Sequence, residues 1–333
     1  MTVGEFGELA LVAALRSIFD RNQGDVEVRN GDDGLVWRPT RRRVVATIDS
    51  VVEGVDWLPD RTPPAAVGHR AAAVTLSDLA AMGARPRLLL LALELPPQTP
   101  LESVLGAARG LAALADECGA AVAGGDVGFS EGPARWTTTG LGDLAGPPLT
   151  RGTAQAGDIV WLVGAVGAAA LGLDLLREGF DGAAGGWRQF AILHHWWPAP
   201  QVKAALRLQR KGGGRWACID VSDGLGLDAG RLAAASGVAL ELDVPTPAWL
   251  GARGAADCDA DGRDWRHACA AGGDDYALLV TAPAGARVGA TVRGTGAAAL
   301  AIGRVHAGPP GEVALTVDGV RCSGGGWRHG DTR

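Results

Sequence analysis

The chain has 333 residues, of which 47% are hydrophobic, so it can bury a substantial core, and its length favours two domains. It contains 31 Lys and Arg residues and 37 Asp and Glu residues, which gives a formal charge of −6. This negative charge argues against binding to nucleic acid or to an anionic membrane surface. The five cysteines show no paired CxxC spacing, which argues against a disulfide framework and against a zinc site.

The N-terminal segment predicts no signal peptide, because it has no basic leader and Arg16 interrupts its apolar run. The longest apolar stretch, residues 159–173, is shorter than the roughly 20 residues that a membrane helix requires. No membrane span is therefore predicted. The odd number of cysteines is typical of a reducing compartment, and we expect a cytoplasmic protein.

Helical and strand patterns alternate along the chain. Helices show apolar residues at a spacing of three or four, whereas short apolar or β-branched runs between turn residues are typical of strands. The pattern predicts helices at 5–19, 65–82, 101–118, 168–178, 201–209 and 225–236, and strands at 44–48, 88–95, 136–144, 159–163, 217–220, 239–242, 277–281, 300–302 and 313–317. This alternation predicts an α/β (α+β) fold with two domains, residues 1–146 and 147–333, which divide near Gly146-Pro147-Pro148.

Two segments rich in glycine and aspartate, 180–186 and 251–264, contain few apolar residues that could anchor them. Such a composition is typical of surface insertions. We expect these segments to be mobile and to carry no chemistry.

Several aspartates lie at or just beyond an apolar segment and are flanked by Gly, Ser or Thr. They are Asp32, Asp33, Asp49, Asp78, Asp126, Asp220 and Asp223. A single aspartate in such a setting commonly caps a helix or forms a turn. Carboxylates that share one cleft repel each other unless a cation neutralises them, and Mg²⁺ prefers such oxygen ligands. As a set, these residues predict a magnesium site, with capping as the alternative for each member.

The usual nucleotide-binding motifs are missing from the sequence. It contains no GxxxxGK[ST], neither of its lysines, Lys203 and Lys211, lies in a glycine-rich setting, and the protein-kinase motifs do not occur. The six histidines show no zinc-ligand spacing. A nucleotide would therefore have to be held by another arrangement.

Eight motifs, read in order, resemble those of the thiamine-monophosphate kinase family. They are GEFGELAL at Gly4, GDDGLV at Gly31, TIDSVVEGVDW at Thr47, VGHRAAAVTLSDLAAMGARP at Val67, GGDV at Gly124, LTRGTAQAGD at Leu149, IDVSDGL at Ile219 and GGDDYALL at Gly272. The resemblance implies a two-domain aminoimidazole ribonucleotide synthetase-like fold. It assigns ATP and Mg²⁺ binding and dimerisation through a β-sheet to residues 1–146, and completion of the nucleotide and acceptor site to residues 147–333.

The same resemblance implies ATP-dependent phosphorylation of thiamine monophosphate to thiamine diphosphate by a homodimer, with Mg²⁺ as the cofactor. The implied Mg²⁺ ligands are Asp33, Thr47, Asp49, Asp78, Asp126, Asp220 and Asp223. The implied ATP contacts are Gly125, Asp126, Arg151 and Ser222. An acceptor phosphate oxygen is already anionic, so we expect direct in-line transfer without a covalent nucleophile.

The implied acceptor contacts are Asp56, Asp274 and Trp327, and two of them depart from the family pattern. Asp56 stands where the family has His, and GGDDYAL replaces GGEDYEL, so that Asp274 and Ala277 each replace a Glu. Trp327 aligns with an aromatic residue that packs on the thiamine moiety, where a cation–π contact with the thiazolium ring is physically sensible. Two alternatives stay open, an ATP-dependent ligase or cyclo-ligase of the same superfamily and a catalytically silent nucleotide-binding regulator.

Overall fold

A computed structural model describes residues 1–19, 26–28, 36–183, 185–323 and 325–326. The chain folds into two compact units. The first comprises Met1–Leu79 and Ala84–Ala145, and the second comprises Ala80–Gly83 and Gly146–Arg333. The predicted acidic residues Asp32 and Asp33 and the predicted acceptor contact Trp327 lie outside the described residues.

The first unit is built on a mixed sheet. Its strands are β1 (Val26–Val28), β2 (Val36–Trp37), β3 (Arg43–Val52), β4 (Arg85–Leu95), β5 (Ala121–Phe129) and β6 (Arg135–Leu144), and its helices are α1 (Val3–Phe6), α2 (Glu8–Phe19), α3 (Pro64–Ala81) and α4 (Leu101–Cys118). The main sheet has the order β3-β6-β4-β5, in which β4 and β5 are parallel and the other pairs are antiparallel. Strands β1 and β2 form a separate antiparallel pair.

Helix α3 packs on the main sheet and also crosses α4 at very close range. A Cβ atom added to Gly140 of β6 would lie 2.5 Å from Thr75 Cγ2 of α3. Between the helices, a Cβ at Gly68 would lie 1.7 Å from the Ala107 carbonyl oxygen, and one at Gly110 would lie 1.8 Å from the Ala65 carbonyl oxygen. These distances require glycine, because a methyl group cannot approach a carbonyl oxygen so closely.

The N-terminal helix predicted at 5–19 is wrong at its start. The chain forms two helices, because Gly7 adopts a φ of 83° and ends α1 before α2 begins. Thr2 and Glu5 cap α1 reciprocally through their side chains and backbone amides.

The second unit contains a larger sheet. Its strands are β7 (Ile159–Val163), β8 (Ala217–Val221), β9 (Ala239–Val244), β10 (Ala277–Ala282), β11 (Ala299–His306), β12 (Val313–Val317) and β13 (Val320–Arg321), in the order β13-β12-β9-β11-β7-β10-β8. Its helices are α5 (Ala168–Arg177), α6 (Gly186–Trp196), α7 (Val202–Gly212), α8 (Leu225–Ser236), α9 (Gly251–Ala260), α10 (Trp265–Ala271) and α11 (Val288–Val292), and a short 3₁₀ turn spans Arg151–Thr153. Every residue of β8 and β10 is buried, which accounts for their predominantly apolar sequences.

The prediction that residues 251–264 form an unanchored insertion is wrong. This segment contains α9, whose Ala255 and Cys258 side chains are buried. Small side chains therefore anchor a helix that lacks the long apolar residues of an amphipathic pattern. Within the described part of the chain, no helix is long and apolar enough to cross a membrane.

Candidate active site

A threonine and an aspartate that are far apart in the sequence meet in the first unit. Thr47 lies on β3 and Asp78 lies near the end of α3, and the Thr47 hydroxyl donates a hydrogen bond to Asp78 Oδ2 at 2.5 Å. The contact exists because α3 packs against the face of the sheet on which Thr47 lies. Gly140 of β6, the residue paired with Thr47, lies directly beneath Thr75 of α3. Two of the predicted Mg²⁺ ligands are thus brought together.

Asp49 and Asp126 occupy opposite edge strands of the same sheet. Asp49 lies on β3, two residues beyond Thr47 and opposite Thr138, so the two β3 side chains share one face of the strand. Asp126 lies on β5 opposite Ala92. Strands β6 and β4 lie between them.

Gly125 lies on β5 at a position where a side chain would collide with β4. A Cβ atom at this position would lie 1.9 Å from the Leu91 carbonyl oxygen, so a side chain cannot be accommodated. Gly125 and Asp126 are exposed, and the peptide next to Asp126 is accessible to a ligand. This geometry suits the backbone contact with a nucleotide that is predicted for Gly125.

Among the described residues, no group of three or more His, Cys, Asp or Glu side chains lies close enough together to hold a metal ion. Asp33 is outside that set. The complete Mg²⁺ ligand set therefore stays a prediction.

In the second unit, the loop after β8 carries Ser222 and Asp223 and is fixed by a buried carboxylate. Asp228 Oδ2 accepts hydrogen bonds from the Ser222 amide at 3.1 Å and from the Asp223 amide at 3.0 Å. Arg231 Nη1 lies 2.6 Å from Asp228 Oδ1 and 2.5 Å from Asp223 Oδ2. Burial raises the pKa of Asp228, and Arg231 opposes that shift.

Sequence reasoning missed Asp228, although it lies only five residues beyond Asp223. The available signal was an acidic residue in the first turn of α8, directly after the loop SDG. An acidic residue there can accept the backbone amides that precede the helix.

Arg151 lies on a turn beside β8, the strand that carries Cys218 and Asp220. Thr150 pairs with Ala217, and the Thr150 carbonyl accepts a hydrogen bond from the Cys218 amide at 3.0 Å, which places the turn of Arg151 beside β8. Burial raises the pKa of the Cys218 thiol, the Asp220 carboxylate raises it further, and the Arg151 guanidinium opposes the shift. The turn that carries Arg151, the predicted ATP contact, therefore lies beside the strand that carries Asp220, a predicted metal ligand.

The GGDDY loop lies against the loop of Ser222. The Asp274 amide donates to the Ser222 carbonyl at 2.8 Å, and the Tyr276 amide donates to the Val221 carbonyl at 2.9 Å. Asp274 has a φ of 67°, and its Oδ1 accepts a hydrogen bond from the Tyr276 hydroxyl at 3.1 Å. Asp274, a predicted acceptor contact, and Ser222, a predicted ATP contact, are therefore joined by a backbone hydrogen bond.

Asp275, the neighbour of Asp274, is a second buried carboxylate that sequence reasoning missed. It accepts hydrogen bonds from the amides of Gly167 at 2.5 Å and Ala169 at 3.0 Å, at the start of α5. His194 Nε2 lies 3.6 Å from Asp275 Oδ1. Burial raises the pKa of Asp275 to about 8. The pair of adjacent aspartates in GGDDY was the only sequence signal for a buried carboxylate. It did not indicate which of the two, Asp274 or Asp275, is buried.

Asp56 forms a local turn. Its Oδ2 accepts a hydrogen bond from the Val52 amide at 2.7 Å, and its own amide donates to the Val52 carbonyl at 2.9 Å. This gives the aspartate a structural reason to stand where the family pattern has histidine. Its predicted contact with an acceptor stays a prediction.

Similar proteins identify the family. Residues 31–143 match the family described as AIR synthase related protein, N-terminal domain. The thiamine-monophosphate kinase of Corynebacterium glutamicum is 34% identical over 298 residues, which cover 86% of each chain. The chain belongs to the thiamine-monophosphate kinase family. The predicted family and its class of enzyme, a phosphotransferase, are confirmed.

Solved structures of this family agree with the fold. The crystal structure of thiamine-monophosphate kinase from Stenotrophomonas maltophilia K279a has a TM-score of 0.76 and 33% identity, and the match covers 97% of this chain and 99% of that one. The structure of AaThiL complexed with AMPPCP and TMP has a TM-score of 0.74 and 27% identity, with 99% of both chains covered. The predicted mixed α/β fold of the aminoimidazole ribonucleotide synthetase-like superfamily is confirmed.

Proposed function

We propose that the chain catalyses ATP-dependent phosphorylation of thiamine monophosphate to thiamine diphosphate. The observation that carries this proposal is the similarity, over nearly the whole chain, to a kinase structure complexed with AMPPCP and TMP. The loops of the second unit support it, because Ser222 and Asp274, predicted for ATP and acceptor respectively, are joined by a backbone hydrogen bond.

The transfer proceeds directly from ATP to the acceptor. An oxygen of the thiamine monophosphate phosphate forms the new bond to the γ-phosphorus, and the bond from that phosphorus to the β,γ-bridging oxygen breaks, which releases ADP. The attacking oxygen is already anionic, so the chain needs to supply neither a nucleophile nor a strong base. A chiral γ-phosphoryl group should therefore be transferred with inversion, whereas retention would indicate a covalent intermediate.

The oxygen donors of the first unit support the magnesium site that we propose. Thr47 and Asp78 present oxygen atoms that already lie within 2.5 Å of each other, and Asp49 shares the β3 face of Thr47. Hard oxygen donors of this kind suit Mg²⁺ and not zinc. We assign Asp33, Asp126, Asp220 and Asp223 to the same role, although Asp223 is engaged by Arg231. Bound Mg²⁺ would neutralise the charge of the triphosphate oxygens.

The nucleotide contacts that we propose are Gly125, Asp126, Arg151 and Ser222. Gly125 offers backbone without a side chain, and the exposed Arg151 offers a guanidinium that can form two hydrogen bonds with one phosphate. Replacement of Arg151 by Lys should raise KM for ATP because this paired geometry is lost. An unchanged KM for ATP would remove Arg151 from the site.

The acceptor contacts that we propose are Asp56, Asp274 and Trp327. For Asp274, the hydrogen bond from Tyr276 and the φ of 67° support a carboxylate held in one orientation. Asp56→His restores the family residue and should preserve or improve activity. A large loss of activity would mean that the turn formed by Asp56 cannot be replaced.

We also propose a cytoplasmic homodimer. The outward positions of β3 are exposed along much of its length and include Val44 and Ile48, which supports a sheet surface that a second copy covers. The five cysteines all lie among the described residues and form no disulfide, which supports a reducing compartment. Fractionation of the source cells with antibody detection tests the location, and recovery in a membrane or exported fraction would contradict it.

The direct test of the function is incubation of the purified chain with ATP, MgCl₂ and thiamine monophosphate, followed by chromatography of the products. Thiamine diphosphate should form in equal amount to ADP. Release of ADP and phosphate only with an amide acceptor would favour a ligase. Binding of ATP without any turnover would favour a regulator.

A further inference from the structure

Helix α8 contacts both segments of the second unit that carry proposed nucleotide contacts. The loop of Ser222 precedes the helix, and the Ser222 amide donates to Asp228 in the first turn of α8. At the other end, Ser236 is the last residue of α8 and contacts the turn that carries Arg151. The role of Asp228 at the Ser222 loop thus has a counterpart at the Arg151 turn.

A single hydroxyl group bridges the two ends of the Arg151 turn. Ser236 Oγ donates a hydrogen bond to the Arg151 carbonyl at 2.6 Å and accepts one from the Ala154 amide at 3.0 Å. The 3₁₀ turn Arg151–Thr153 lies between these two backbone groups, so both of its ends are joined to α8. A hydroxyl can form both bonds at once because it carries one donor and two acceptor lone pairs.

The turn also packs directly against the end of α8. A Cβ atom added to Gly152 would lie 3.1 Å from the Ala235 carbonyl oxygen, which is tighter than most contacts of a real Cβ atom. The residue before Ser236 therefore borders the turn as well. Two consecutive residues at the end of α8 thus form a surface on which the turn rests.

Further hydrogen bonds hold the chain on either side of the turn. After it, Asp158 Oδ2 accepts from the Gln155 amide at 3.0 Å, and Arg215 binds the Asp158 carboxylate through two hydrogen bonds of 2.9 and 2.7 Å. Asp158 is only 2% exposed, so this ion pair is shielded from water. Before the turn, the Cys218 amide donates to the Thr150 carbonyl at 3.0 Å. The backbone of the turn is therefore restrained on both sides.

The Arg151 side chain contrasts with this restrained backbone, because the residue is exposed and its guanidinium can reach a ligand. The backbone sets the point from which a flexible side chain extends. A fixed turn therefore reduces the positions that the guanidinium samples and lowers the entropy cost of binding a phosphate. We infer that Ser236 is a positioning residue that holds the Arg151 turn so that the guanidinium meets a phosphate of the nucleotide. This inference rests on the proposed contact between Arg151 and ATP.

The test is a double-mutant cycle that measures nucleotide binding without turnover. Isothermal titration calorimetry of the full chain with AMPPCP and MgCl₂ compares the wild type, Ser236→Ala, Arg151→Ala and the double variant. Ser236→Ala should weaken AMPPCP binding about fivefold in the wild type and have almost no effect in Arg151→Ala, where no guanidinium is left to position. An equal loss of affinity in both backgrounds would overturn the inference, because Ser236 would then act independently of Arg151.

Two further variants separate positioning from general stability. Ser236→Thr keeps the hydroxyl and should bind AMPPCP as the wild type does. Thr291→Ala is the matched control, because it removes a hydroxyl that donates to the Arg287 carbonyl at 3.0 Å, away from the Arg151 turn. Alanine is the best helix former, so Ser236→Ala should keep α8, and its Tm checks that the variant is folded.

Steady-state kinetics separate this inference from the proposed function. For Ser236→Ala, KM for ATP should rise about fivefold, whereas KM for thiamine monophosphate and kcat should change little. Normal AMPPCP binding by Ser236→Ala, with weak binding by Arg151→Ala, would overturn the inference and retain the ATP contact of Arg151. Unchanged binding by Arg151→Ala would overturn both. Because the calorimetry requires no phosphoryl transfer, coupling between Ser236 and Arg151 supports the inference even if thiamine diphosphate is not formed.

Discussion

Asp228 and Asp275 are buried carboxylates that hold the loops of the second unit. Asp228 binds the amides of Ser222 and Asp223, and Asp275 binds the amides of Gly167 and Ala169. The sequence could indicate that acidic residues cluster in these motifs, but not which of them point inward. The partners of Asp275 lie more than a hundred residues away along the chain, so only the folded chain reveals them.

The buried state of Asp275 makes stability depend on pH. Its pKa is raised from 3.8 to about 8 by burial, so between these values the folded chain keeps a proton that the unfolded chain releases. Its contribution to the free energy of unfolding is therefore complete below pH 3.8 and is lost as the pH rises through 8.

Replacement of Asp275 by Asn removes this titration. Calorimetry should give the Tm of the wild type and of Asp275→Asn at several pH values. We expect the wild type to lose stability relative to the variant as the pH rises from 5 to 9. A Tm difference for Asp275→Asn that does not vary with pH would contradict the account.

At the scale of elements, the sequence predicted best where local signals are strong. Helices α4 and α8 have their predicted bounds, and each ends at a glycine in the left-handed conformation. Helix α9 was missed because its Gly- and Ala-rich sequence gains its stability from tertiary packing. The contact between Thr47 and Asp78 could not be predicted from the local sequence either, because it depends on how α3 packs on the sheet.

The close crossing of α3 and α4 gives a prediction for stability. Gly110→Ala would place a methyl group 1.8 Å from the Ala65 carbonyl oxygen, so the helices must separate. We expect a loss of about 1–3 kcal/mol in the free energy of unfolding, measured by urea denaturation. Gly106→Ala, on the same helix, meets the Pro64 side chain at 3.0 Å and should cost less. Equal stability of Gly110→Ala and wild type would contradict the close approach of α3 and α4 at Gly110.

At the scale of the whole molecule, the exposed face of β3 is the surface that we assign to the dimer. Ile48 is 65% exposed, and a buried charge at this position would oppose association. Light scattering should give a mass for the wild type of about twice the 34.0 kDa of one chain. The Ile48→Glu variant should have the mass of a single chain. Val320→Glu, which alters an exposed residue of the second unit, should remain dimeric. A monomeric wild type, or a dimeric Ile48→Glu variant, would contradict the assignment.

The central proposal is that aspartates, Asp126 among them, support phosphoryl transfer from ATP by holding divalent cations. The most direct measurement is the rate of thiamine diphosphate formation by wild type and Asp126→Asn over a range of limiting Mg²⁺ concentrations. Asp126 is exposed on β5, so the variant should keep its fold. We expect its rate to fall by about 100-fold, with partial recovery at high Mg²⁺. A rate close to that of wild type at limiting Mg²⁺ would contradict the account.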